Sequence, residues 1–277
     1  MFSFLNPRPK QILANSPISD SLWCSVAGWP LLRGLDAEET RLLREQASVF
    51  LGGKAITGAH GLELDDEARL VIAAQCCLPL IHLGRDALDD WHEVIVYPGQ
   101  FLSRSRTYES VGDYLGLVHE SEDILAGQAR PDGPILLSLL DCRESPWLEG
   151  WNVPIHEIAH KLDMRSGEAN GCPPLHNGMD YAEWKAVFTH AFDDLARRAD
   201  SWEPCPIDPY AAENPGECFA VFSEYFFELP HLLSDQYPAV YRQLCAFYRQ
   251  DPARRLPRMK YRPVWAEDLP SEYRAHA

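Results

Sequence analysis

Two histidines one helical turn apart constrain this chain more than any other feature of its sequence. They stand in the segment His156-Glu157-Ile158-Ala159-His160. On an α-helix, positions i and i+4 project from one face about 6 Å apart, so both imidazoles reach one tetrahedral metal ion. The carboxylate of Glu157 contacts a metal-bound water without being a ligand. The spacing is typical of zinc peptidases and predicts an α-helix whose histidines face a cleft.

The residues around this motif favour a helix. Asn152 is a suitable N-cap, and Pro154 is tolerated in a first turn whose N–H groups lack intrahelical acceptors. An apolar stripe then follows, made of Ile155, Ile158, Ala159 and Leu162. At about 100° per residue, the two histidines lie roughly a third of a turn from the centre of that stripe. We therefore expect the helix to bury its apolar face and to present both imidazoles to a cleft.

A catalytic zinc site needs a third protein ligand and one open coordination position. Ser166 stands where the longer HExxHxxGxxH motif would have a third histidine, so that variant is excluded. Three downstream carboxylates remain, namely Asp163, Glu183 and Glu217. Asp163 lies nearly two turns beyond His156 on a short side chain. That position suits it better to orient a ligand histidine through the second ring nitrogen than to bind the metal.

The other two carboxylates each begin a predicted helix. Glu183 precedes a long apolar stripe, and we expect it to be a first-turn carboxylate favoured by the helix dipole. Glu217 follows Pro215 and Gly216, and its helix carries Glu224 seven residues later on a face of small side chains. We interpret these two carboxylates as one metal ligand and one acid that supports the ligands. A solvated polar face is the alternative.

Tyr210 lies seven residues before Glu217, in the segment 208–213. A phenol in that position donates a hydrogen bond to the oxyanion that forms when water attacks a polarised carbonyl. Two other roles for this tyrosine stay open at the level of sequence, which are core packing and metal ligation.

Longer segments extend the pattern along the chain. They are residues 152–163 (NVPIHEIAHKLD), 167–171 (GEANG), 208–213 (DPYAAE), 217–227 (ECFAVFSEYFF), 61–64 (GLEL), 72–79 (IAAQCCLP) and 94–98 (VIVYP). Together they resemble the Mlc titration factor A family of bacterial zinc peptidases, a gluzincin-like group. The set of segments is far more specific than the HExxH motif alone.

The resemblance implies a set of site roles. In such proteins the zinc site resembles that of the anthrax lethal factor catalytic domain. This implies one Zn²⁺ per chain with three protein ligands, His156, His160 and Glu217. It also implies that Glu157 is the general base and that Tyr210 is the oxyanion donor.

The same resemblance implies an activity and a partner. The expected activity is aminopeptidase-type hydrolysis of peptide bonds by a zinc-activated water. The expected partner is the glucose-responsive repressor Mlc, whose binding influences genes of the glucose phosphotransferase system. A repressor-binding protein with weak or vestigial peptidase activity is the alternative, and a helix pair without metal is a second one. Intact Glu157 and Tyr210 favour chemistry, because a structural site needs neither a base nor an open position.

Composition limits the other possibilities. The formal net charge of −16 disfavours a nucleic-acid surface, because phosphate contacts need clustered basic side chains. No apolar run approaches the ~20 residues of a membrane span, and the first ten residues hold two prolines rather than a signal-peptide core. The eight cysteines are scattered without a CxxC pair, which favours reduced, buried thiols. We therefore expect a cytoplasmic protein.

The pattern along the chain predicts an α+β fold in which helices dominate. It is expected to be a zincin-like metallopeptidase domain with its HExxH helix and a helical N-terminal lobe. Further helices are predicted at 36–51, 65–78, 181–199, 217–228 and 231–248, short strands at 94–97 and 135–139, and a connector at 127–133. A soft boundary near residue 85 divides the N-terminal lobe (1–85) from the metallopeptidase lobe (86–277). A single domain is the alternative.

Overall fold

The computed structural model describes residues 18–84, 87, 89, 91–111, 114–129, 133–201 and 205–260, without the side chains of 102–111 and 114–124. The helices are α1 (Asp20–Ala27), α2 (Ala37–Gly53), α3 (Asp66–Cys77), α4 (Leu139–Glu144), α5 (Val153–Asp163), α6 (Tyr181–Ser201), α7 (Pro215–Glu228), α8 (Pro230–Gln236) and α9 (Pro238–Tyr248). Single 3₁₀ turns occur at Pro30–Leu32, Leu78–Leu80, Ser145–Trp147, Met164–Ser166, Pro209–Ala212 and Pro252–Arg254. The strands are β1 (Ala55–Gly58), β2 (Glu93–Tyr97), β3 (Phe101–Val111), β4 (Tyr114–Leu125), β5 (Gly127–Ala129) and β6 (Ile135–Ser138). The predicted helix-rich α+β fold is confirmed.

Helix starts in the N-terminal part follow from their capping residues. Asp36 accepts hydrogen bonds from the backbone N–H groups of Glu38 and Glu39, and the Glu39 side chain accepts one from the Asp36 N–H. Asp65 caps α3 by accepting a hydrogen bond from the Ala68 N–H. These carboxylates satisfy N–H groups that have no partner within the helix, which explains why α2 and α3 begin where the sequence predicts.

The single helix predicted at 231–248 is wrong, because Pro238 divides it into α8 and α9. Tyr237 has a non-helical backbone (φ −130°, ψ 66°). A proline disfavours the helical conformation in the residue before it, so the chain turns there and starts again. Pro238 then occupies the first turn of α9, where its missing N–H has no cost.

A four-stranded sheet has the order β1-β2-β6-β5. The first three strands are parallel and β5 pairs with β6 in the antiparallel direction at the edge. Central strands β2 and β6 bury Val94, Val96, Ile135 and Leu137, which accounts for their apolar sequences. β1 and β5 were not predicted, and β5 occupies the first part of the stretch assigned as a connector. The rest of that stretch includes residues 130–132, which lie outside the described residues.

A separate antiparallel hairpin consists of β3 and β4. Its register pairs Phe101 with Leu125 and Val111 with Tyr114. The sequence analysis did not predict these strands, because their composition is largely polar. The hairpin follows β2 and leads directly into β5, so it connects a central strand of the sheet to the edge strand beside the motif helix.

The core is built around α7, whose residues from Cys218 to Glu228 are all buried. Phe219, Phe222, Phe226 and Phe227 fill the space between α7, α6 and α9. One hydrophobic cluster runs from Ile18 to Leu256. The predicted boundary at residue 85 falls on a residue outside the description, and the division into two lobes stays a prediction. None of the helices in the described ranges has the length and apolarity to cross a membrane.

Helices α5 and α7 pack side by side in opposite directions. Asn152, the N-cap of α5, donates its backbone N–H to Glu224 and its side-chain amide to Glu228 Oε1 (3.0 Å), both near the end of α7. The same amide group lies 3.0 Å from Gln75 Oε1 on α3. Because these groups are buried, each hydrogen bond removes a desolvation cost that an unpaired partner would carry. The start of the motif helix is thereby fixed to the second half of α7.

Candidate metal centre

The two motif histidines project from one face of α5, as their spacing predicts. Their Nε2 atoms lie 3.1 Å apart, and their ring centroids are separated by 4.7 Å. The opposite face of the helix is buried through Ile155 and Ile158. Asn152 Oδ1 accepts the Ile155 N–H at 3.1 Å, the cap that the sequence predicts. The helix is therefore anchored at its start and on its buried face, and both imidazoles lie on its other face, where His156 borders a cleft.

Glu217, in the first turn of α7, completes a group of three. Its Oε2 lies 3.0 Å from His156 Nε2 and 3.2 Å from His160 Nε2. The three donor atoms all fall within 4.8 Å of one another, and no other such group occurs among the described residues. Two imidazole nitrogens and one carboxylate oxygen are a donor set that suits Zn²⁺ with one position left open. Burial disfavours the charge on Glu217, but hydrogen bonds from both histidines outweigh it and hold its pKa well below its usual range.

Glu224 contacts the ring nitrogen of His156 that does not face Glu217. Its Oε1 lies 2.7 Å from His156 Nδ1, and its other oxygen accepts the Asn152 N–H. With the ring proton on Nδ1, His156 donates to Glu224 and leaves Nε2 free for a metal ion. Burial alone would lower the pKa of His156, but the charge of Glu224 and the hydrogen bond to Glu217 raise it well above its ordinary value. This is the supporting position that the sequence analysis suggested for Glu224.

Two other carboxylates lie away from the three donor atoms. Glu183 is exposed in the first turn of α6, where its backbone N–H lies 3.3 Å from the Asp180 carboxylate. Asp163 is buried at the end of α5, and its Oδ2 accepts the Gly171 N–H at 2.7 Å. Asp163 makes no hydrogen bond to either motif histidine within the described part of the chain. The expected contact with a histidine ring is therefore replaced by one with a loop backbone.

Glu157 is buried between α5 and the edge strand β5, with 3% of its surface exposed. Burial raises its pKa to about 7, and the two neighbouring histidines oppose that rise. Gly127 on β5 faces this carboxylate so closely that a methyl group there would overlap it and lie 2.7 Å from Val153 Cγ1. The sequence analysis missed Gly127. A glycine inside a strand is nevertheless a signal of close approach to another group.

Tyr210 stands over the first histidine at the mouth of the cleft. It lies in the 3₁₀ turn Pro209–Ala212, which Asp208 caps by accepting the Tyr210 N–H at 2.9 Å. Its ring centroid is 6.2 Å from that of His156, and 43% of its surface is exposed. Burial and the nearby charge of Glu217 raise the pKa of the phenol, so it keeps its proton at neutral pH. A cavity of about 340 Å³ separates it from β5 and includes His156, Glu157 and Glu224 in its wall.

An HExxH helix, a carboxylate from a second helix and a cleft along a sheet edge are together the arrangement of a metallopeptidase. A family model, the glucose-regulated metallo-peptidase M90, matches residues 4–249 of the chain. Mlc titration factor A of Yersinia pestis (strain Pestoides F) is 42% identical over 250 residues, covering 88% of this chain and 91% of the relative. The protein of the same description from Yersinia pseudotuberculosis serotype O:1b (strain IP 31758) has the same identity and coverage. The chain therefore belongs to the glucose-regulated metallo-peptidase M90 family, and the predicted resemblance is confirmed.

Replacing Glu217 with alanine is expected to weaken zinc binding by about two orders of magnitude or more, because it removes one of three donor atoms. Glu183→Ala is the matched control, since it removes a carboxylate from the first turn of another helix. We expect the control to bind zinc within about twofold of the parent protein. Competition with a chromophoric chelator measures both constants. If Glu183→Ala lost more zinc affinity than Glu217→Ala, the third ligand would be Glu183 on α6.

Proposed function

We propose that the protein is a zinc-dependent peptidase with aminopeptidase-type activity that acts in the cytoplasm. The observation that carries this proposal is the convergence of His156, His160 and Glu217 beside a cleft that also contains a buried carboxylate. When bound there, zinc supplies Lewis-acid polarisation of the scissile carbonyl and lowers the pKa of water towards ~7. The preference for the amino-terminal residue rests on the family resemblance.

Glu157 is the proton carrier in this proposal. Its carboxylate accepts a proton from the attacking water and gives it to the departing amine nitrogen. Burial raises the pKa of Glu157, which favours uptake of the proton from the water before it passes to the amine. Glu157 Oε2 is buried and has no hydrogen-bond partner in the described residues, so it keeps a free acceptor position. Gly127 confines the carboxylate from the side of β5.

Tyr210 is the donor to the developing oxyanion. Because its pKa is raised, the phenol remains a donor over the neutral range. Its exposed position at the mouth of the cleft favours contact with a substrate over core packing. A preorganised donor of this kind stabilises the charge that appears only in the transition state.

The edge strand β5 suggests how a peptide is held. Among the described residues β5 pairs with β6 alone, which leaves its other edge open, and residues 125–127 form part of the cleft wall. An extended peptide adds to such an edge through backbone hydrogen bonds, whatever its side chains are. This arrangement brings a peptide bond alongside Glu157 and the three donor atoms.

A second function concerns transcription. We propose that the chain also binds an Mlc-like repressor and thereby relieves repression of glucose phosphotransferase genes. The name of the relatives, Mlc titration factor A, supports this partner. The net charge of −16 favours contact with the repressor protein over competition for DNA. A regulator with weak or vestigial peptidase activity is the alternative, and the intact Glu157 and Tyr210 argue against it.

Replacing Glu157 with glutamine is expected to leave zinc bound and to abolish peptide hydrolysis, because the amide does not accept a proton from water. Chelation of the parent protein is expected to remove the same activity, and added zinc to restore it. The measurements are zinc content per chain and turnover of a short peptide with a free amino terminus, compared with its acetylated form. Near-normal turnover by Glu157→Gln, or activity that survives complete metal removal, would refute the mechanism. Equal turnover of both peptides would refute only the aminopeptidase preference.

Replacing Tyr210 with phenylalanine is expected to lower kcat by about 10²–10³ with zinc content and KM little changed, the range for loss of one oxyanion donor. Tyr181→Phe is the control, because Tyr181 is also exposed and lies on α6. Loss of zinc from the Tyr210 variant would identify a ligand, and an unchanged kcat would identify a packing residue.

For the repressor, we expect the parent protein and Glu157→Gln to co-purify equally with the cognate Mlc-like protein. The two functions then separate, because binding does not require the base. A pull-down with purified components measures how much repressor each of the two proteins binds. Failure of both proteins to bind, in an organism that encodes such a repressor, would show that this chain has a different partner.

A further inference from the structure

The three donor atoms come from two helices, so the site depends on the distance between the end of α5 and the start of α7. We propose that Gly171 is a positioning residue that sets this distance and thereby holds Glu217 against the two histidines. The inference rests on the proposed metal ligands and assigns a role to the loop between Gly167 and Asp180. Three independent contacts of Gly171 support it.

The first contact ties Gly171 to the end of α5. Its N–H donates to Asp163 Oδ2 at 2.7 Å, and Asp163 is fully buried. Asp163 lies one turn of helix after His160. The loop is therefore hydrogen-bonded to the segment that carries the second histidine, and loss of this N–H would remove one of the backbone hydrogen bonds that offset the burial of the Asp163 carboxylate.

The second contact presses Gly171 against the start of α7. A Cβ atom at Gly171 would lie 2.5 Å from the Pro215 carbonyl oxygen and 3.1 Å from its carbonyl carbon. Gly171 also has φ +78°, a conformation that favours glycine. On the other side of this interface, a Cβ at Gly216 would lie 3.2 Å from Ala169 Cβ. Two glycines thus allow the loop and the first turn of α7 to meet backbone to backbone, directly before Glu217.

The third contact holds Gly171 from α6. The Trp184 indole N–H donates to the Gly171 carbonyl at 2.9 Å. Trp184 is fully buried, stacks on Phe188 at 4.4 Å and lies 5.9 Å from Phe219 of α7. Gly171 therefore has a buried partner for its N–H and another for its carbonyl. It cannot move without breaking one of these bonds.

These contacts act at the end of the helix pair opposite to Asn152. The Asn152 and Glu224 bonds fix the start of α5 to the second half of α7, whereas Gly171 fixes the end of α5 to the first turn of α7. A side chain at Gly171 would displace Pro215 and, with it, Glu217 two residues later. Zinc coordination tolerates distance changes of only about 0.2 Å, so a small displacement of Glu217 lowers the zinc affinity.

Gly171→Ala tests the proposal, with Gly178→Ala as the matched control. Gly178 lies in the same loop and also has positive φ (+98°), but a Cβ there would meet no atom within 4 Å. Both variants carry the strain of a left-handed alanine, and only Gly171→Ala meets Pro215. We expect zinc affinity to fall by about 10–100-fold in Gly171→Ala and by less than about threefold in Gly178→Ala. The absorption spectrum of the Co²⁺-loaded protein is expected to change only for Gly171→Ala.

A second pair of variants keeps the proposal open to refutation if Gly171→Ala does not fold. Asp163→Ala removes the acceptor of the Gly171 N–H, and Asp163→Asn keeps an oxygen there. We expect Asp163→Ala to lose about tenfold in zinc affinity and Asp163→Asn to recover most of it. Folded Gly171→Ala or Asp163→Ala with parental zinc affinity would overturn the role of Gly171, and so would an equal loss in Gly178→Ala. A parent protein that binds no zinc would instead overturn the proposed metal site.

Discussion

The carboxylate of Glu224 is the interaction on which the rest of the site depends. One oxygen accepts the backbone N–H of Asn152 and so closes the start of α5, and the other contacts His156 Nδ1. A single buried side chain of α7 therefore fixes both the position of the motif helix and the orientation of its first imidazole. Gly171 holds the other end of the same helix pair. The two attachments together place Glu217 within 3.2 Å of both Nε2 atoms.

The charges around the histidines make the site suited to a cation. Glu157, Glu217 and Glu224 surround the imidazoles, and Glu228 lies deeper along α7. Burial raises the pKa of Glu157, Glu224 and Glu228, whereas the two histidines keep that of Glu217 low. Glu217 is thus ionised and suited to bind a cation, whereas Glu224 and Glu228 accept hydrogen bonds and Glu157 is the proton carrier only in the proposed mechanism. This separation of roles among similar side chains comes from their surroundings.

Much of this site could be predicted from the sequence, because its main signals are local. The two histidines are one turn apart, and Pro215 and Gly216 mark the helix start before Glu217. Other features depend on contacts between distant segments. β5 is too short for a recognisable alternation, so Gly127 was not connected with Glu157, and nothing near Gly171 in sequence indicates that it meets Pro215. The break at Pro238 is a local signal, but apolar residues continue on both sides of it, and Leu233 of α8 and Val240 of α9 are both buried.

X-ray absorption at the zinc edge of the purified protein tests the central claim most directly, because it reports the donor atoms themselves. The structure predicts nitrogen and oxygen neighbours only, at about 2.0–2.2 Å, with imidazole scattering from two histidines. The chain also has eight cysteines, and a thiolate ligand would add a sulfur neighbour at about 2.3 Å. A sulfur neighbour, or a spectrum without imidazole scattering, would contradict the site formed by His156, His160 and Glu217.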